Sequence, residues 1–105
     1  MRAADFDSVE NYYYRLVVQH IAASLSSSPL ADVPGALEDV ACLALNQLPP
    51  RYMRHSIDTA FYLSVEEQQG MVRAVQLAVE RAARYVQAHP RLPLTGELPH
   101  GELPS

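Results

Sequence analysis

The chain has 105 residues, 49% of them apolar, and a formal net charge of −4. That length holds one domain and excludes a second core, and the acidic balance excludes broad, phosphate-driven binding to DNA or RNA. All eight basic residues are arginine, so a compact anion still fits, because one planar guanidinium matches phosphate oxygens in pairs without any net basicity.

A single cysteine, Cys42, leaves no internal disulfide and no multi-cysteine zinc cluster. Its place in an apolar helical run predicts a small buried hydrophobe rather than a reactive thiol. The opening MRAADFDSVEN carries acids and no apolar stretch, so no signal peptide is expected. No apolar run nears the roughly 20 residues that span a bilayer. The expectation is a soluble, cytoplasmic protein with no membrane contact.

In chain order, the first helix is predicted to begin near Asp7 or Ser8, with Asp7 and Glu10 forming a capping box. Val9, Tyr13, Leu16, Val17, Ile21 and Leu25 then recur at helical spacing as one buried stripe. The run SSSP, Ser26 to Pro29, ends it, because serines compete for backbone hydrogen bonds and proline disfavours helix in the residue before it. Pro34 suits the first turn of a second helix, where its missing amide costs nothing. That helix is expected to reach about Leu48 and is apolar nearly all round, which predicts burial on most sides. Its polar exceptions Asp39, Cys42 and Asn46 fall at intervals of three and four, on one narrow stripe.

Pro49 and Pro50 stop the second helix and open an irregular segment to Leu63, where HSIDT and AFYL have the composition of a turn and a short strand. Ser64 and Glu67 form a second capping box, opening the longest helix, about Val65 to His89. Met71, Val72, Val75, Ala78, Val79, Ala82 and Val86 give it an apolar seam, and its alanines permit close helix approach within the core or across a dimer. Gly70 is a weak point in that helix. Pro90 closes it, and the tail from residue 92 to 105, with its near-repeat GELPHGELP, reads as a flexible terminus.

No catalytic arrangement emerges. The four histidines lie on different segments without metal-ligand spacing, and there is neither a Gly-rich phosphate loop nor a nucleophile elbow. His20 reads as a packed or surface side chain, and Glu66 and Glu67 are explained by the helix start, where carboxylates complement the dipole. The run NYYYR, Asn11 to Arg15, is less ordinary: three successive tyrosines on a helix point three ways, so at least one phenol is exposed or at an interface. Dimer packing and ligand contact both suit Tyr14 and Arg15.

The stretch NQLPPRYMR, Asn46 to Arg54, has the chemistry of a site for a base and a phosphate. Pro50 and its neighbour Pro49 fix two backbone angles and so pre-orient the side chains after them. Arg51 and Arg54 can pair phosphates or lie flat on a purine, and Tyr52 can stack on a base. Asp39 and Asn46 either face water or read a guanine edge, the carboxylate accepting and the amide doing both.

The residues DVACLALNQLPPRYM, Asp39 to Met53, resemble the central motif of the late-competence ComFB family, in which an Asp-Val pair, an ALN run and an LPP-x-Tyr ending recur as a unit. NYYYRLV, Asn11 to Val17, is similar to the family's first-helix pattern, and HPR, His89 to Arg91, to the end of its last helix. The likeness covers roughly residues 8 to 91. It implies a mainly α fold of three main helices with a short strand-like segment, forming a helical homodimer over a domain of residues 1–91. It also implies a non-catalytic cytoplasmic receptor for cyclic dinucleotides, notably cyclic di-GMP, with no cofactor, acting on competence or motility through protein partners. The positions on the family motif are Asn11, Asp39, Asn46, Leu48, Pro49, Pro50 and Tyr52; Tyr14, Arg15, Arg51 and Arg54 are added on physical grounds. Some members carry a zinc-binding cysteine cluster before the Asp-Val pair, but Ser27 to Glu38 here holds no cysteine, so no metal is expected. The alternative is a ligand-independent interaction module that uses its exposed tyrosines and Pro-rich tail.

Overall fold

The computed structural model describes residues 4–54 and 63–89. A short 3-10 turn, Phe6–Ser8, leads into strand β1, Val9–Asn11, and then helix α1, Tyr12–Ser24. A second 3-10 turn, Pro29–Asp32, precedes helix α2, Ala36–Asn46; strand β2, Tyr52–Arg54, comes next, and helix α3, Val65–Ala88, completes the described chain. Among the described residues the fold is mainly helical, with a two-stranded antiparallel sheet in which Val9 faces Arg54, Glu10 faces Met53 and Asn11 faces Tyr52.

Helix α1 starts later than its capping signals suggest. Val9 to Asn11 give their backbone to the ladder with β2 and cannot also be helical. Asp7 and Glu10 therefore form no capping box; the Asn11 side chain caps α1 instead by accepting from Tyr13 N. Val9, now on a strand, leaves the buried stripe and is 46% exposed, while Tyr13, Val17 and Ile21 are buried as their spacing predicts.

Pro34 does not sit in the first turn of α2. Gly35 comes after it at φ 79°, a left-handed conformation that suits glycine, and caps the helix before Ala36. At the other end α2 stops at Asn46, and Gln47 N and Leu48 N donate to Ala44 O and Leu45 O, tightening the chain into the two prolines. Ala36, Val40, Leu43 and Ala44 are buried, and Leu37, Ala41, Leu45 and Leu48 pack partly against them, so α2 lies between α1 and α3. Cys42 corrects the expectation of a buried side chain: it is exposed. It stands about 200° around the helix from Val40, on the side opposite the packed face.

The capping box of α3 is formed in full: Ser64 Oγ accepts from Glu67 N at 3.0 Å, and Glu67 Oε1 accepts from Ser64 N at 3.3 Å. Its buried seam is Met71, Val75, Ala78, Val79, Ala82, Ala83 and Val86. Val72, expected in that seam, is 45% exposed, and Ala83 is buried instead. Three alanines on the seam let α3 approach α2 closely. At the far end the Tyr85 ring stacks on His89 with centroids 4.1 Å apart. The suggested turn and strand in HSIDT and AFYL fall almost wholly outside the described residues, as does the tail from residue 92 to 105.

Leu43, 1% exposed between the helices, should cost roughly 2–5 kcal/mol on truncation in Leu43→Ala. Gly70 has open space where a Cβ would stand, so Gly70→Ala should raise stability by about 0.5–1 kcal/mol. Urea unfolding of both variants checks the two signs.

Candidate functional site

The two prolines place Arg51 against the start of α1, and Asn11 secures it. One carboxamide oxygen, Asn11 Oδ1, accepts from Tyr13 N at 3.2 Å and from Arg51 N at 2.9 Å. The next amide, Tyr12 N, donates to Arg51 O at 2.6 Å. Both backbone polar groups of Arg51 are thus held by the first two residues at the α1 entrance, 40 positions earlier in the chain. Asn11 itself is suited to this task because its short acceptor reaches forward into the helix while its own backbone stays extended.

Strand pairing then sets which side chains face outward. Residues directly opposite in an antiparallel pair share a face, and alternate residues share it too. Asn11 and Tyr52, Val9 and Arg54 therefore lie on one face of the ribbon. Tyr52 is 67% exposed and Arg54 is also exposed, whereas Met53 turns inward and packs against the core. The sheet thus presents a phenol and a guanidinium side by side, directly after Arg51, whose backbone is held by Asn11 and Tyr12.

The arginines differ in how far they are already engaged. Arg15 Nη2 lies 2.6 Å from Glu10 Oε1, with the guanidinium 5.7 Å from the centre of the Tyr12 ring. Its charge is largely answered within the protein. Arg51 Nη2 lies 3.6 Å from Glu67 Oε2, in a longer and more exposed pair. Arg54 forms no ion pair among the described residues. Glu10 and Glu67 are the partners that sequence reasoning misses: it assigns Glu10 to a cap that does not form, and Glu67 only to the cap that does.

The remaining expected residues are more dispersed. Tyr14 is exposed in the first turn of α1, with Tyr13 buried and Tyr12 half-buried, so the three tyrosines do point three ways. Pro50 and Asn46 are exposed or partly so, Asn46 as the last residue of α2. Asp39 is half-buried and lies seven residues back, about 10 Å of helix rise from Asn46. Its stripe with Cys42 and Asn46 runs along the outward side of α2 and away from the corner. Among the described residues no three His, Cys, Asp or Glu side chains are grouped so as to hold a metal ion, and no helix is long and apolar enough to cross a membrane.

The joint at Asn11 can be separated into its parts. Asn11→Ala removes the acceptor for both Tyr13 N and Arg51 N and should destabilise the fold by about 1–2 kcal/mol. Asn11→Asp keeps a carboxylate acceptor at the same place and should retain most of that stability. Thermal unfolding of the two variants side by side measures the difference.

No curated protein and no solved structure matches the chain. A family model does: that of the late competence development protein ComFB, over residues 10–90, a span that begins with the strand feeding Asn11 and takes in the corner and all three helices. The chain belongs to the ComFB family, which points to a competence-related regulatory protein.

Proposed function

We propose that the protein is a non-catalytic cytoplasmic receptor for a cyclic dinucleotide, with cyclic di-GMP as the preferred candidate. One observation carries this reading: the outer face of the β1–β2 ribbon sets Tyr52 beside Arg54, next to an Arg51 whose backbone is fixed by Asn11 and Tyr12. A flat exposed ring suits a base, and planar guanidiniums suit the phosphates of a compact anion. The ordering of Arg51 before any ligand arrives lowers the entropic cost of binding. Pro50 and Asn46 border the corner, and Tyr14, Arg15 and Asp39 are its more distant contributors. The overall acidity of the chain favours such a local site over a nucleic-acid polymer. No cofactor and no metal take part.

The receptor acts as a homodimer on a protein partner in competence or motility. The outward stripe of α3 supports the dimer: Val65 and Val72, 68% and 45% exposed, fall on one side of the helix with Gln68, Gln69 and Gln76 between and beyond them. Those same exposed apolar residues, with Phe6 at 78%, favour the second reading, an interaction module that needs no ligand.

Titration calorimetry with cyclic di-GMP distinguishes the two. The receptor should release or absorb heat on binding and gain thermal stability with ligand at about 100 µM, because a ligand well above its dissociation constant must stabilise the fold. Tyr52→Ala should weaken binding roughly 5- to 150-fold, the range of one base stacked on an aromatic ring. Absence of both heat and thermal shift rejects the receptor reading. For the dimer, Val72→Arg should shift the sedimenting species to monomer while the helical content stays unchanged.

A further inference from the structure

Glu67 divides its two carboxylate oxygens between different tasks. Oε1 completes the capping box with Ser64 N at 3.3 Å, while Oε2 lies 3.6 Å from Arg51 Nη2. The cap needs only one acceptor, and glutamine serves at this position as well as glutamate. The charge of Glu67 is therefore free to act on Arg51. Both side chains of the pair are nearly half exposed, at 44% and 48%, so the pair is weak enough to open. The backbone of Arg51 would not need to move, since its amide and carbonyl stay bound to Asn11 and Tyr12.

We propose that Glu67 is a built-in competitor for the anion at Arg51: it holds the guanidinium in the ligand-free protein and yields it to a phosphate oxygen when ligand binds. Glu67 is thus a residue that sets affinity without being part of the ligand contact. It lowers the resting affinity of the corner for any anion at Arg51 by a similar factor, and a ligand with a further contact, such as a ring on Tyr52, offsets that cost. A lone phosphate has no such second contact and competes poorly. This competition rests on the anion-binding reading of the corner given above.

Calorimetry with cyclic di-GMP and, separately, with inorganic pyrophosphate tests it on the full chain. Glu67→Gln keeps the capping acceptor and removes the charge, and should tighten binding of either anion about two- to fivefold, the scale of an exposed ion pair. In an Arg51→Ala background the same substitution should change nothing, because the competed group is gone. Glu66→Gln, one residue away in the same helical turn, controls for the general loss of negative charge and should have a smaller effect. Unchanged or weaker binding by Glu67→Gln overturns the competition, as does an equal gain in Glu66→Gln or in the Arg51→Ala background. Tightened pyrophosphate binding with no cyclic di-GMP binding upholds the competition and rejects the dinucleotide receptor. Failure of both anions to bind any of the proteins overturns both.

Discussion

The carboxamide oxygen of Asn11 accepts two amides that belong to different parts of the chain, Tyr13 N in the first turn of α1 and Arg51 N just after the two prolines. A helix start leaves several backbone donors without partners, and the exposed turn after the two prolines presents another. Asn11 answers one of each with a single atom. The β1–β2 ladder begins at this same joint, with Asn11 opposite Tyr52, so the direction in which Tyr52 and Arg54 point is fixed by where Asn11 holds Arg51. A shift of register by one residue would turn Met53 outward and bury Tyr52.

The helical core makes that joint rigid. α2 packs on both α1 and α3, and its buried face of Ala36, Val40, Leu43 and Ala44 fixes where its last turn ends. Pro49 and Pro50 then leave little freedom before Arg51. The side chain of Gln47 adds a further tie, donating back to Leu43 O at 3.3 Å. The corner is thus held from two sides, by α2 before it and by the start of α1 beside it. From this held backbone the side chains of Tyr52 and Arg54 extend into solvent, and that of Arg51 reaches Glu67.

Charge placement divides the arginines near the corner into distinct kinds. Arg15 is close to Glu10 and to the Tyr12 ring, and strengthens the entrance of α1. Arg51 is shared between the corner and the first turn of α3 through Glu67. Arg54 extends outward from the ribbon, opposite Val9. Their order along the chain says nothing of this division. It arises from which carboxylate the fold brings near each guanidinium.

The three helices were legible in the sequence because each rule behind them is local. Serines and a proline ended α1, two prolines ended α2, and the Ser64–Glu67 box opened α3 where the residues said it would. Helical periodicity found Tyr13, Val17 and Ile21, and most of the α3 seam. It misassigned Val9 and Val72, since a spacing rule marks a stripe as apolar without saying which flank a neighbour will cover; the burial expected of Cys42 came from the apolar run around it, while its spacing had put it on the polar stripe. For the candidate site, the sequence identified the corner and its chemical types but neither its strand nor its carboxylate partners. Three-residue strands carry no periodic signal, and β1 finds β2 more than 40 residues away. So the sequence by itself determined the helices, their stops and the cationic, aromatic character of the corner, all set by interactions within a few residues. Only the tertiary structure decided that Asn11 holds Arg51, that Tyr52 and Arg54 share an outer face and that Glu67 meets Arg51, because each of these joins residues that are close only once the chain has folded.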